Sequence, residues 1–120
     1  MRDFGLVPQF LPQKVVKLPN MFLVVWEFQV RPGDVPRFEE IYGHSGAWAK
    51  LFVRDPEYLR TELQRDLRLP GRYLTLDYWT SESAYDGFHA ANQEAYSTID
   101  RQCEHLTERE LLIGRFTLVG

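Results

Sequence analysis

The stretch that decides the fold is MFLVVWEFQV, residues 21–30, the most strand-like run in the chain. It is dense in Val, Phe and Trp, which β-strands favour. Because successive side chains of a strand point to opposite faces, one face is wholly apolar and the other turns polar at Glu27. The apolar face carries Phe22, Val24, Trp26, Phe28 and Val30. We therefore expect a sheet covered by helices on one side only.

The residues that follow this strand predict two helical pieces and then a hairpin. Residues 34–42 form an amphipathic helix with Asp34 as its cap, and residues 47–53 form a second piece. Residues 58–66 and 73–79 alternate as strands do, and a Pro-Gly turn separates them.

The last part of the chain predicts a long helix and a final strand. Ser81 caps the helix, whose apolar stripe follows the 3.6-residue period and kinks near Asn92. Residues 111–119 form the last strand. The order β-α-β-β-α-β is that of the α+β, ferredoxin-like fold, a four-stranded antiparallel sheet with its helices on one face.

The other face of the predicted sheet is amphiphilic and uncovered. Its expected members are Leu23, Val25, Glu27, Gln29, Tyr58, Arg60, Glu62, Gln64, Tyr73, Thr75, Asp77, Leu111, Ile113, Arg115 and Thr117. Left open, it would be an adhesive patch, so we expect a homodimer that packs sheet on sheet. The alternative is an ordinary half-solvated antiparallel face.

Composition and charge exclude several classes of protein. The chain has 120 residues, which fits one domain, and its net charge of −3 gives no support for nucleic-acid binding. Its one cysteine, Cys103, rules out an internal disulfide and a cysteine metal cluster. Without an apolar run long enough for a signal peptide or membrane span, we expect a cytoplasmic protein.

The first twenty residues differ from the rest. Residues 1–20 combine three prolines with many apolar side chains, so a regular helix is not expected there. They form either an extended arm on the body or on a partner subunit, or a disordered leader. The folded domain is expected over residues 21–120.

Several motifs taken together resemble a known family. VVWEF at residues 24–28, RPG at 31–33, FEEIYG at 38–43 and GRYLTLDYW at 71–79 resemble the antibiotic biosynthesis monooxygenase domain family, over residues 21–119. The resemblance implies a dimeric α+β barrel with a ligand cavity between the sheet and the helices of each subunit. Members of that family oxidise polycyclic phenols or quinol precursors with O₂ and without a cofactor.

A haem-degrading branch of that family uses a spaced Asn, Trp and His. The corresponding positions here are Trp26, Phe88 and Thr98, so the resemblance disfavours haem degradation.

Cofactor-free oxidation of a phenol needs a dry aromatic cavity, a base and a donor to the developing oxyanion. Histidine is the natural base near neutral pH, and the candidates are His44, between the two helical pieces, and His89, on the long helix. The expected substrate-binding side chains come from the sheet and the helices: Trp26, Phe28, Tyr42, Trp48, Tyr78, Phe88 and Asn92. No metal-ligand spacing is present, so no metal is expected, and the family resemblance implies that no cofactor is used.

Two functions stay open. The first is a cofactor-independent monooxygenase for a small aromatic or polycyclic compound. The second is a non-catalytic homodimeric module that binds a hydrophobic ligand or only pairs subunits. An open cavity above Trp26 favours the enzyme, and a packed one favours the module.

Overall fold

A computed structural model describes residues 21–119. The arm predicted for residues 1–20 lies outside the described residues. The sheet consists of four antiparallel strands in the order β2-β3-β1-β4. Their bounds are Phe22–Val30 for β1, Tyr58–Arg65 for β2, Arg72–Trp79 for β3 and Thr107–Thr117 for β4. The predicted ferredoxin-like α+β fold is confirmed, although β4 begins four residues earlier than expected.

The helices form two pairs of short segments. Their bounds are Val35–Tyr42 for α1, Ala47–Phe52 for α2, Glu82–Ala91 for α3 and Gln93–Cys103 for α4. None of the helices in residues 21–119 is long and apolar enough to cross a membrane.

The predicted cap and kink of the long helix are confirmed. Ser81 Oγ accepts a hydrogen bond of 3.1 Å from the backbone nitrogen of Ala84 at the start of α3. The helix breaks at Asn92, where the side-chain amide donates to the carbonyl of Phe88 at 2.9 Å. Asp34 occupies the predicted N-cap position of α1, at the end of a 3-10 turn over Pro32–Asp34, but its side chain makes no capping bond.

The apolar face of β1 lies under the helices, as predicted. Phe28 and Val30 join one buried cluster with Phe38 of α1. Phe22 and Val24 join a second cluster, which also contains Phe52, Trp79 and Phe88. Trp26 lies between the clusters and packs against both.

The predicted faces of β3 are reversed. Phe28 pairs with Tyr73 and Phe22 pairs with Trp79, and residues directly opposite in an antiparallel pair share a face. Tyr73, Thr75, Asp77 and Trp79 therefore face the helices, and the prediction that placed Tyr73, Thr75 and Asp77 on the open face is wrong. Each face of β3 carries large apolar or aromatic residues, Leu74, Leu76 and Tyr78 on one and Tyr73 and Trp79 on the other, so alternation alone could not decide between them.

A register shift in β2 explains a second error. The pairing of β2 with β3 shifts between Tyr58 and Arg60. Tyr58 consequently turns towards the helices, where its ring centroid lies 5.6 Å from that of Phe52. Its predicted position on the open face is wrong.

A bulge in β4 explains a third error. The pairing of β4 with β1 shifts between Val25 and Trp26, which places Arg115 opposite Val24 and Thr117 opposite Phe22, on the helix side. Arg115 forms ion pairs there with two carboxylates of α3. Its predicted place on the open face is wrong, as is that of Thr117.

The open face carries a layer of paired charges. Glu27 is only 8% exposed and accepts from Arg72 at 2.9 Å and from Arg109 at 3.2 Å. Arg72 also reaches Asp66 at 2.7 Å. The charge of Glu27, the residue at which this face of β1 becomes polar, is thus paired within one chain.

The close approach of α1 and α2 depends on Gly46. A Cβ added there would lie 2.2 Å from the carbonyl oxygen of Ile41, so only glycine fits. We expect Gly46→Ala to lower the free energy of unfolding by about 1–3 kcal/mol, the usual range for overpacking, in urea denaturation.

Gly33→Ala is the matched control for this substitution. An added Cβ at Gly33 would meet no described atom within 4 Å, so its effect should stay within about 0.5 kcal/mol. Equal stability of the two variants would contradict the steric role of Gly46.

Candidate functional site

A cavity of about 260 Å³ lies between the sheet and the helices. All four strands contribute to its floor, with Trp26, Phe28, Thr61, Thr75, Asp77 and Glu110. All four helices contribute to its roof, with Tyr42, Trp48, Phe52, Tyr85, His89, Tyr96 and Asp100.

A continuous aromatic wall surrounds Trp48. Its ring centroid lies 6.3 Å from that of Tyr42, 6.1 Å from that of Phe52 and 5.5 Å from that of Tyr96. Trp48 and Phe52 are four residues apart on α2, so they share one face of that helix. The wall therefore presents ring edges and faces to any molecule in the cavity, which suits a flat apolar ligand.

Asp77 is one of two carboxyl groups that the strands contribute to the cavity, the other being Glu110. Thr61 donates a hydrogen bond of 2.6 Å from Oγ1 to Asp77 Oδ1, and Tyr58 Oη lies 2.7 Å from Thr61 Oγ1. Within residues 21–119 no Lys, Arg or His side chain forms an ion pair with it. The part of Asp77 that remains accessible faces the cavity, and protein surrounds the rest of the side chain. By its solvent-accessible area Asp77 is therefore half-buried.

The environment of Asp77 changes its acidity. Burial raises the pKa of Asp77 to about 6, and the Thr61 hydrogen bond opposes this only in part. A carboxyl group with a pKa near neutrality can accept and release protons at physiological pH. Asp77 is therefore suited to act as a general base within an aromatic site.

Among the described residues that line the cavity, the hydroxyl of Tyr96 is buried without a hydrogen-bond partner. Nε1 of Trp48 is buried as well, but it interacts with the Tyr42 hydroxyl. Burial raises the pKa of Tyr96, so its hydroxyl stays protonated at neutral pH and can donate. Unsatisfied buried polar groups are costly and uncommon, so this hydroxyl is a candidate partner for a polar atom of a ligand.

Exposed, ionisable side chains line the mouth of the cavity. They are His89 of α3, Asp100 of α4 and Glu110 of β4. The His89 ring centroid lies 4.2 Å from that of Tyr96. Partial burial raises the pKa of both carboxyls, and the negative charge of Asp100 adds to the rise at Glu110.

Five of the predicted site residues line this cavity: Trp26, Phe28, Tyr42, Trp48 and His89. Their roles in binding and catalysis stay predictions.

Three other predicted substrate-binding residues lie elsewhere. Tyr78 is on the open face, where its hydroxyl donates to Glu62 at 3.2 Å and the Arg60 guanidinium lies 4.0 Å from its ring centroid. Phe88 is buried in the second core cluster, and Asn92 forms the junction of α3 and α4.

The second predicted base, His44, does not line the cavity. It lies in the exposed connection between α1 and α2 and lines a second, more open groove, which shares only Thr61 with the cavity. Glu39 in the same groove accepts hydrogen bonds from Arg65 and from the Tyr73 hydroxyl.

The sequence reasoning missed Asp77, Thr61 and Tyr96 as site residues. Asp77 was missed because the faces of β3 were reversed. Tyr96 lies on the apolar stripe of the long helix, and that position was the available signal. No group of three or more His, Cys, Asp or Glu in residues 21–119 is arranged to hold a metal ion.

The sequence profile of the antibiotic biosynthesis monooxygenases matches residues 21–96. A search of curated protein sequences finds no relative of this chain.

Solved structures share the fold at low sequence identity. A Caulobacter crescentus protein with the same family description is 18% identical, with a TM-score of 0.69 over 86% of this chain and 93% of that one. A mutant form of SnoaB, a cofactor-independent oxygenase from Streptomyces nogalater, is 18% identical, with a TM-score of 0.58 over 84% and 95%. A conserved protein from Methanosarcina mazei is 14% identical, with a TM-score of 0.64 over 84% and 95%.

The raised pKa of Asp77 predicts an unusual dependence of stability on pH. Between its ordinary pKa of 3.8 and about 6 the folded state holds more protons than the unfolded state, so stability falls as pH rises through this window. Asp77→Asn keeps the acceptor for Thr61 and removes the charge. A pKa difference of one unit between the folded and unfolded states corresponds to about 1.4 kcal/mol. The free energy of unfolding of the variant should therefore exceed that of the parent by up to about 3 kcal/mol at pH 8, and this difference should disappear near pH 4.

Urea denaturation across this pH range measures the effect. Asp66→Asn is the control, and its effect on the free energy of unfolding should have the opposite sign. Backbone nitrogens of Leu69 and Arg68 and the guanidinium of Arg72 hold the pKa of Asp66 at about 2. Its stabilising contribution is present above its ordinary pKa and is lost as pH falls towards 2, so Asp66→Asn should destabilise at pH 8. An Asp77→Asn protein less stable than the parent at pH 8 would refute the assignment.

Proposed function

Because this chain belongs to the antibiotic biosynthesis monooxygenase family, we propose that it is a cofactor-independent monooxygenase that oxidises a small aromatic compound in the cavity between sheet and helices. The observation that carries the proposal is the aromatic cavity with the near-neutral carboxyl of Asp77 on its floor. The fold shared with SnoaB, which is a cofactor-independent oxygenase, is consistent with it.

In this proposal the aromatic walls bind and orient the substrate. Trp26 and Phe28 below and Trp48 and Tyr42 above contact a flat ring. The cavity of about 260 Å³ lies just under the range of about 300–1,000 Å³ that is usual for drug-sized ligands. The substrate is therefore a compact ring system. Packing by aromatic side chains also excludes water, which strengthens polar interactions inside.

Asp77 starts the reaction by removing a proton. Its carboxylate takes the proton of a phenol, or of a ring CH₂ beside one, and leaves an electron-rich anion. The anion passes one electron to O₂, and the resulting radical and superoxide combine through a new C–O bond. The O–O bond of the peroxide then breaks, so a CH₂ group and O₂ become a C=O group and water. The substrate supplies all the electrons, and no other reductant is needed.

One buried donor and one histidine complete the proposed mechanism. The Tyr96 hydroxyl donates to the oxygen that gains negative charge, and no described residue occupies this hydroxyl. His89 at the mouth carries protons between the cavity and solvent.

Oxygen consumption tests the proposal, with a panel of anthrones and naphthohydroquinones in the presence of a metal chelator. One atom of ¹⁸O₂ should appear in the product and the other in water. We expect Asp77→Asn to lower kcat/KM by about 100-fold or more, the usual contribution of a general base. In the parent protein the rate should rise as Asp77 loses its proton, with a midpoint near pH 6.

Asp34→Asn is the matched control for this experiment, because it makes the same substitution outside the cavity lining. Full turnover by Asp77→Asn would remove the proposed base. Ligand binding without any oxygen uptake would favour the alternative function, a non-catalytic homodimeric module that binds a hydrophobic ligand.

We also propose that the open face pairs two copies of the chain. Leu111 and Phe116 of β4 pair with Glu27 and Leu23 on that face and are 48% and 46% exposed. Contiguous exposed apolar surface of this kind is typical of an interface, and sheet-on-sheet packing would cover it.

Light scattering coupled to size-exclusion chromatography should report a dimer at micromolar concentration. Leu111→Asp with Phe116→Asp should produce a monomer, because each new carboxylate would be buried without a partner. Val53→Asp changes a residue that is 65% exposed away from the open face and should leave the dimer intact. A monomeric parent protein would refute the pairing.

A further inference from the structure

We propose that the cavity selects aromatic ligands that carry a positive charge and rejects aromatic carboxylates. This selectivity rests on the proposed function only in taking the cavity as the site where the substrate binds.

The charged side chains of the cavity lining are mainly acidic. Three carboxyl groups line it, those of Asp77, Asp100 and Glu110. Of the described residues, none that lines it is Lys or Arg, and His89 is the single side chain there that can become cationic. A ligand therefore meets a negative potential from the floor to the mouth.

These three carboxyl groups differ from other acids of the chain. Glu27, Glu39 and Glu82 each lie within 3.3 Å of an arginine nitrogen. By contrast, no ion pair with Lys or Arg in residues 21–119 involves a carboxyl group of the cavity. Asp77 accepts from Thr61 and Glu110 accepts from Thr107, and both of these donors are neutral.

Arg115, which packs against Tyr85 of the roof, already has partners. The guanidinium of Arg115 lies 5.3 Å from the ring centroid of Tyr85 and bonds Glu82 at 2.9 Å and Asp86 at 3.0 Å. It is therefore not free to neutralise the cavity. Burial raises the pKa of all three cavity carboxyls, as expected for charges that the protein does not compensate.

An independent observation indicates that this space receives a ligand. The Tyr96 hydroxyl is buried in the roof without a partner in the described chain, so a bound molecule could satisfy it. Asp100 and Glu110 at the mouth are near enough for the charge of Asp100 to raise the pKa of Glu110. An ammonium group at the mouth is therefore attracted by both carboxylates and by the faces of nearby rings, whereas a carboxylate is repelled.

Three naphthalene probes of matched shape test the selectivity: naphthylmethylamine as cation, naphthylmethanol as neutral probe and naphthoate as anion. Calorimetric titration at pH 7.5 should give a dissociation constant at least about tenfold lower for the cation than for the anion, with the alcohol between them. The difference should shrink at high salt, because the mouth is exposed to solvent.

Charge-removing variants identify the source of the preference. The double variant Asp100→Asn with Glu110→Gln should bring the three dissociation constants to within about threefold of one another. Asp34→Asn with Glu108→Gln removes the same number of charges from residues outside the cavity lining and should keep the parent order.

The outcomes separate this proposal from the proposed function. Binding of all three probes with equal affinity, or with naphthoate tightest, overturns the selectivity and leaves the oxygenase proposal standing. Failure of all three to bind overturns both, because the cavity would then not accept aromatic molecules. The expected order combined with no oxygen uptake supports the selectivity and overturns only the oxygenase.

Discussion

The structure depends on the antiparallel pairing of β1 with β3. Helices must cover the apolar face of β1. The residues of β3 that pair with residues of this face share it and are therefore buried with them. Trp79 and Tyr73 enter the core in this way, and Asp77 enters because it pairs with Val24. A carboxyl group is thus held among aromatic rings by the register of the sheet, with one neutral hydroxyl as its hydrogen-bond donor.

The cavity is an interruption of an otherwise close-packed layer. Two aromatic clusters fill the space between sheet and helices, and Trp26 and Trp48 pack against both of them. Between these clusters the roof holds the unsatisfied hydroxyl of Tyr96, and the floor holds the carboxyl group of Asp77, which has no cationic partner in the described chain. Natural proteins accept such local losses of stability mainly where a function requires them. The clusters on either side provide the burial that allows this one region to remain incomplete.

The sequence could predict those features for which the residue pattern allows one interpretation. The covered face of β1, the element order and the break at Asn92 follow from apolar periodicity and turn residues. The faces of β3 could not be predicted, because Leu74 and Leu76 alternate with Tyr73 and Trp79, and both sets are apolar enough for a core. The aromatic side chains that line the cavity were accessible to sequence reasoning, whereas Asp77 depended on the orientation of β3.

The mouth of the cavity has a consequence for divergence among related proteins. His89, Asp100 and Glu110 come from three different elements, all three are exposed, and none belongs to a core cluster. Substitutions at such positions usually change stability by less than about 0.5 kcal/mol. The mouth can therefore vary in charge, one residue at a time, without disturbing the core clusters. Under the proposed function, ligand preference can evolve separately from the chemistry at Asp77, so proteins with this cavity can differ in substrate while retaining one fold.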